Sequence, residues 1–271
     1  MSTEAAPHLP APEPVSPTAP ALTGSVLMQQ DWRDLTYVHW AVDPERLTHL
    51  MPPGVRPDVH DGASYVGLVP FRMVDAAPFR LPGVPWLGTF LETNVRLYSV
   101  DATGRRGVVF LSLDCDRLAV VLGARIGFGV PYRWARLRHG VTTDLATRRP
   151  VHTYEGVLRR AKAGVQGRNR VVVAVGDRRP ATALDEFLSA RWGLHSAPLV
   201  AARRTLYVPN QHPAWPLHDA ELLDLDAEVL TTVGLRDLGP ELARRAPDHV
   251  AFSPGVHTEF GWPGSAARPR P

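Results

Sequence analysis

The stretch Val108–Arg138, VVFLSLDCDRLAVVLGARIGFGVPYRWARLR, constrains the fold of this chain more than any other. It opens with the period-two alternation of a strand. Phe110, Ser112, Asp114 and Asp116 share one face, and Val109, Leu111, Leu113 and Cys115 share the other. A second apolar run from Leu118 to Ile126 ends in Gly127-Phe128-Gly129, whose glycines permit backbone shapes closed to other residues. Pro131 then suits the first turn of a helix carrying Tyr132, Arg133, Trp134, Arg136 and Leu137. A strand delivering polar groups, a glycine turn and a helix start presenting Tyr132 and Arg133 together outline a pocket.

The flanking segments are mostly strands. Asp31–Val42 alternates, with Arg33, Leu35, Tyr37 and His39 on one side. Asp43-Pro44-Glu45 starts a short helix that stops at Pro52-Pro53-Gly54. Ser64–Met73 reads as a strand running into a proline-rich loop. In Thr89–Val100, Glu92, Asn94, Arg96 and Tyr98 share a face, and Thr103-Gly104 turns that strand back into the central stretch. Further strands are expected at Arg138–Asp144, His152–Arg160, Val171–Gly176, Arg204–Pro209 and Glu221–Leu230, with a last one in FSPGVHTEFGWP. Thr182–Arg191 is the strongest helix, striped by Leu184, Phe187 and Leu188, and Pro240–Arg245 is a short one. The expected class is therefore α+β and β-rich, a barrel with a few short peripheral helices.

Residues 1–24, rich in proline and alanine, are expected to form a disordered tail, residues 25–263 a single domain, and residues 264–271 a second disordered tail. The tail lacks the charged start and apolar run of a signal peptide, and no uncharged apolar run reaches the ~20 residues that span a bilayer. The single cysteine, Cys115, excludes an intrachain disulfide, so a reducing, cytoplasmic setting is expected. Although the pI is about 9.3, the net charge is only +3, and the arginines are scattered among acids without a basic arm. No nucleic-acid or membrane partner is expected, whereas homo-oligomerisation stays open.

The segments HWAVDPERLTHLMPPGV, YVGLVPFRM, ETNVRLY, FLSLDCDRLAVVLGAR, LDEFLSARWGL, HPAWPLHDAELL and FSPGV resemble the YqjF-like family of uncharacterised bacterial proteins over residues 26–263. That family belongs to the acetoacetate decarboxylase-like superfamily, so the resemblance implies a closed, cone-shaped β-barrel around a central cavity. Its decarboxylases use adjacent lysines, one forming a Schiff base with a keto acid while the other lowers its pKa. In the matching segment, Gly123-Ala124-Arg125 through Pro131-Tyr132-Arg133, those two positions hold Tyr132 and Arg133. The imine chemistry is then lost from this site, because an arginine stays protonated and a tyrosine forms no imine. The resemblance also places Arg33 and Glu92 at cavity positions.

These residues suggest the chemistry to look for. Glu92 and Tyr132 are candidate catalytic groups, Glu92 as a buried acid or base and Tyr132 as a donor to a carbonyl. Arg33, Asn94, Arg96, Ser112, Asp114 and Arg133 are candidate substrate-binding residues, with Arg33 as the main anchor for an anionic or carbonyl ligand. Against this, Arg96 could simply neutralise Glu92. Asp114 and Asp116 face away from Cys115, and His212 and His218 fit no standard spacing, so no metal is expected. No HExxH, paired CxxC, GxSxG or phosphate loop occurs, and no cofactor is expected. Lys162, the only lysine, reads as a loop residue. Two functions follow, a non-imine lyase, hydratase or isomerase on a small carbonyl or carboxylate compound, and a protein that binds or senses such a compound without turning it over.

Overall fold

The alternating segments become strands whose edges find partners all the way round. The computed structural model describes residues 10–122, 129–161, 164–197 and 204–265. Among these, thirteen strands join one sheet: β1 (Met28–Val42), β2 (Val55–Pro57), β3 (Ser64–Pro78), β4 (Phe90–Asp101), β5 (Arg106–Cys115), β6 (Tyr132–Thr143), β7 (Pro150–Leu158), β8 (Asn169–Arg178), β9 (Gly193–Ser196), β10 (Leu206–Gln211), β11 (His218–Asp226), β12 (His249–Phe260) and β13 (Gly264–Ser265).

Five of them, in the order β12-β1-β3-β4-β5, make a wall shared by two closed circuits. One circuit leaves β5 at Val108 and returns through β9 and β10 to Phe260 of β12. The other leaves β5 at Leu113–Cys115 and returns through β6, β7, β8 and β11 to Phe252 of β12. Closure satisfies the backbone groups that an open sheet would expose at its edges. On one face of the wall Val38, Trp40, Leu68, Val95 and Leu97 pack with Val171 and Val173 of β8 into a solid core. The opposite face, covered by β9, β10 and a helix at Ala183–Ser189, holds a cavity.

Two bulges decide which side chains enter it. In β1, Asp34 takes a left-handed conformation (φ 53°), and the pairing with β3 slips between Arg33 and Val38. Alternation therefore restarts at Asp34, and Trp32 shares the cavity face with Leu35 while Arg33 points outward. In β5 the register slips where Val95 pairs with Ser112 and Arg96 with Phe110, leaving Leu111 as the extra residue. Phe110 and Leu113 thus face the cavity, and Ser112 and Asp114 face away from it. Gly255 is required where β12 crosses the β1 bulge, since at φ 124° a Cβ there would lie 1.9 Å from the Trp32 carbonyl oxygen.

The structure departs from the sequence expectations in several places. Pro131 leads into a strand and not a helix, because Tyr132–Trp134 pair in parallel with Leu113–Cys115 of β5 and Ala135–Thr143 pair antiparallel with β7, ladder bonds that a helix could not make. Residues 118–122, within the expected apolar run, are helical, and Gly127 and Phe128 lie outside the described residues. The segment 10–24, expected to be disordered, instead lies along the barrel. Arg56 donates to the Pro10 carbonyl, Glu13 N donates to the Gly104 carbonyl at 2.8 Å, Trp192 Nε1 donates to the Ser16 carbonyl at 3.0 Å, and Leu22 N donates to Gln211 Oε1. Proline keeps this segment extended, and a proline carbonyl can still accept. The expected short helices appear as a 3-10 turn at Pro44–Leu50, capped by Asp43, and as helices at Ala183–Ser189 and Leu238–Leu242. No helix among the described residues is long and apolar enough to cross a membrane.

Candidate functional site

The cavity has a volume of about 440 Å³ and mostly apolar walls, built by Trp32, Phe71, Met73, Phe90, Phe110 and Phe260. Polar groups enter chiefly from β4, whose alternation presents Glu92, Asn94 and Arg96 in a row, and from Tyr132 at the start of β6. Glu92 is 3% exposed and accepts a 2.7 Å hydrogen bond from the Tyr132 hydroxyl. Burial pushes its carboxyl up to about 7, against the opposing hydrogen bonds from Tyr132 and Asn94, and the nearby Asp114 charge pushes the same way. The Tyr132 phenol is raised well above its ordinary value, by burial and then by the Glu92 charge, so it remains a donor at physiological pH.

Arg96 does not pair with Glu92. Its Nε donates to Tyr98 Oη at 3.1 Å and Nη2 to the Leu188 carbonyl at 3.0 Å, and its guanidinium lies over the Tyr37 and Tyr98 rings. No carboxylate pairs with it among the described residues, which makes Arg96 a cavity cation without a counter-charge. Trp32 Nε1 and Asn94 Oδ1, on two cavity-lining residues, are buried without a hydrogen-bond partner among the described residues. A donor and an acceptor left open on cavity-lining side chains are groups a ligand or water can satisfy.

The remaining expected site residues lie elsewhere. Arg33 is half exposed and forms an ion pair with Asp31 at 2.6 Å, outside the cavity, because the Asp34 bulge separates it from Leu35. Arg133 grips Asp114 with two hydrogen bonds, Nε to Oδ1 at 2.6 Å and Nη2 to Oδ2 at 2.9 Å, and its Nη1 reaches Thr232 Oγ1. Its charge is neutralised within the protein. Ser112 is fully buried beside Asp114, on the face turned from the cavity. Cys115 is buried, and burial pushes its thiol up. His212 and His218 each direct Nδ1 to a backbone carbonyl, of Pro213 and Gly176. Lys162 lies outside the described residues.

Behind Arg96 runs a chain of side chains that alternation alone did not single out. Tyr98 Oη lies 2.6 Å from His39 Nε2, His39 Nδ1 lies 3.1 Å from His249 Nδ1, and His249 Nε2 lies 2.8 Å from Asp185 Oδ1. With neutral rings one assignment satisfies every contact. Asp185 accepts from His249 Nε2–H, His249 Nδ1 accepts from His39 Nδ1–H, His39 Nε2 accepts from the Tyr98 hydroxyl, and the Tyr98 oxygen accepts from Arg96. Asp185 is held well below the usual carboxylate range, since hydrogen bonds from His249, Arg179 and Thr182 outweigh its burial. His39 is fully buried, and burial, then the nearness of the His249 ring and the Arg96 charge, push its ring well below 6.5. An unfolded histidine gains a proton below about pH 6.5 while this one does not, so His39 removes stability as the pH falls below that value. Nitrogen-15 NMR of histidine-labelled protein should show His39 neutral at about pH 6.5, where an ordinary histidine is half protonated, and present as the Nδ1–H tautomer. An Nε2–H tautomer at His39 would contradict the assignment.

Comparison with known proteins gives this geometry a family. A model of the DUF2071 family, described as an uncharacterized conserved protein, matches residues 29–257. The chain is 31% identical over 206 residues to the uncharacterized protein YqjF of Bacillus subtilis (strain 168), covering 73% of this chain and 78% of that one. Among solved structures, an acetoacetate decarboxylase-like enzyme from Sphingomonas wittichii RW1 aligns with a TM-score of 0.58 at 14% identity, covering 90% of this chain and 94% of that one. The acetoacetate decarboxylase of Legionella pneumophila gives 0.55 at 13% identity, with 92% of each chain covered. The enduracididine biosynthesis enzyme MppR, complexed with pyruvate, gives 0.53 at 15% identity over 91% of this chain and 93% of that one. At such identities the structural likeness is one of fold, and with the family match it leads to one conclusion: the chain belongs to the DUF2071 family of YqjF-like proteins and has the acetoacetate decarboxylase-like fold.

Proposed function

We propose that the cavity binds a carbonyl-bearing carboxylate and that Glu92 and Tyr132 move a proton on it without forming an imine, as in an isomerase, hydratase or lyase. The observation that carries this is an acid with its carboxyl pushed up to about 7, hydrogen-bonded to a tyrosine, in the same apolar cavity as an arginine without a counter-charge. Glu92 takes the proton from a carbon beside the carbonyl and returns it either to another carbon, as in an isomerase, or to a hydroxyl that departs as water while a carbon–carbon double bond forms, as in a hydratase or lyase, so no oxidant or reductant is consumed. Arg96 holds the carboxylate in place of Arg33, the anchor expected from sequence. The resemblance puts Tyr132 and Arg133 at the positions of the decarboxylase lysines, and neither forms an imine. A pyruvate complex of MppR, which shares the fold, supports the ligand class.

A thermal-shift screen of carboxylic and keto acids on wild type, Arg33→Ala, Arg96→Met and Glu92→Gln tests the proposal, followed by NMR detection of solvent deuterium entering each hit. A charge-assisted hydrogen bond contributes about 1.5 to 3 kcal/mol, so Arg96→Met should weaken binding roughly ten-fold to more than a hundred-fold. Arg33→Ala should leave it unchanged, and Glu92→Gln should bind without exchange. Binding without exchange in wild type would point to the second function, sequestration or sensing. Stabilisation that persists in Arg96→Met would remove the anchor.

A further inference from the structure

We infer that the ligand is a long, apolar carboxylic acid whose oxo or hydroxy group lies far from its carboxylate, rather than a three- or four-carbon keto acid. The inference rests on the proposal that Arg96 and Glu92 are the groups that hold and act on the ligand. The spacing of those groups is its first support. They stand four residues apart on a strand, which at about 3.3 Å per residue separates their Cα atoms by roughly 13 Å. β4 is regular between them, since the extra residue of the bulge is Leu111 on β5. Arg96 also leans toward Tyr98, the next residue along the same face, and so away from Glu92. A carboxylate on Arg96 and a carbonyl beside Glu92 and Tyr132 therefore cannot belong to a molecule as short as pyruvate. An extended chain covers about 3.8 Å per three bonds, so bridging the two requires roughly ten bonds.

The second support is what lies between the two ends. Asn94 is the only residue between Glu92 and Arg96 on this face of β4, and the surrounding walls are the rings and thioether of Trp32, Phe71, Met73, Phe90 and Phe110. A cavity of about 440 Å³ falls in the range that encloses ligands of drug size, and a three-carbon acid would leave most of these walls without contact. A loop beside the cavity has the same character. Pro78 and Leu87 line the cavity, and the loop between them carries Phe79, Leu81 and Trp86, exposed by 50%, 53% and 69%. Exposed apolar side chains beside an apolar cavity suit a ligand that arrives with an apolar body.

The test measures dissociation constants for straight-chain monocarboxylic acids of four to twelve carbons, with the matching primary alcohols, on wild type and Arg96→Met. Burying a methylene is worth about four-fold in affinity, so the acids should tighten about four-fold per carbon and level off near ten carbons. Arg96→Met should lower the affinity of the long acids to that of the alcohols. Equal binding of short and long acids, lost in Arg96→Met, would overturn the long ligand and leave the small-acid proposal standing. Acids and alcohols binding alike, with no effect of Arg96→Met, would overturn both. Once the preferred length is known, its oxo derivatives should exchange deuterium in wild type and not in Glu92→Gln, and exchange confined to short keto acids would also overturn the inference.

Discussion

Replacing Glu92 with glutamine should raise the unfolding temperature at pH 8.5 and barely change it at pH 4.5. In the folded protein burial brings the Glu92 carboxyl to about 7, against an ordinary value of 4.5. Below pH 4.5 the group is protonated in both states and affects stability little. Between 4.5 and 7 the folded protein keeps a proton that the unfolded chain has released, so stability falls as the pH rises, and the full loss is reached above 7. A difference of this size corresponds to about 3 kcal/mol. Glutamine keeps the acceptor for Tyr132 and cannot ionise, so the variant escapes this loss. For a chain of this size the gain should be roughly 5 to 10 °C at pH 8.5. Melting curves of both proteins at the two pH values decide the matter, and an equal shift at both would show that Glu92 does not titrate near neutrality. The same position of the pKa is what makes Glu92 suited to proton transfer, since near pH 7 it is present both as an acid and as a base.

Asp58→Ala should destabilise the protein by about 3 to 5 kcal/mol, the cost of leaving a buried charge without its partner. Asp58 is fully buried after β2 and accepts hydrogen bonds from Arg106 and Arg191. Arg191 is itself 4% exposed, stacked on the Phe187 and Tyr98 rings, with Nη2 already lacking a hydrogen-bond partner among the described residues. Without Asp58, its guanidinium would face aromatic rings and the Phe187 carbonyl alone. Thermal and urea unfolding measure the loss. Adding Arg191→Met should recover a large part of it, because an apolar side chain of similar length does not need a counter-charge. A loss below about 1 kcal/mol for Asp58→Ala would mean that water reaches Arg191. The effect should extend to the cavity, since Tyr98, against which Arg191 packs, also holds Arg96.

The family, the β-rich class and most strand positions were legible in the sequence. So was the row Glu92-Asn94-Arg96, because β4 is an uninterrupted strand and its alternation passes unchanged into the structure. Tyr132 was legible as a pocket residue, from the glycine turn before it and from the resemblance, while the helix expected around it was wrong and its contact with Glu92 was not foreseen. The parity of Ser112 and Asp114, and that of Arg33, could not be read in the same way. Each depends on a single residue, Leu111 or Asp34, that shifts the count by one and sends every later side chain to the other face. Asp34 is compatible with a left-handed backbone, yet nothing local requires it to adopt one.

Local alternation and turn residues therefore determined where this chain forms strands and which side chains of each unbroken strand share a face, since both follow from backbone geometry within a few residues. Tertiary structure alone decided that the wall closes twice, that Arg133 is neutralised by Asp114 while no carboxylate among the described residues pairs with Arg96, and that His39, Tyr98, His249 and Asp185 line up behind it. The reason is that ion pairing, desolvation and bulge position depend on contacts between residues far apart in sequence, such as Arg133 with Thr232 or His39 with His249, and no local pattern records which distant partner arrives.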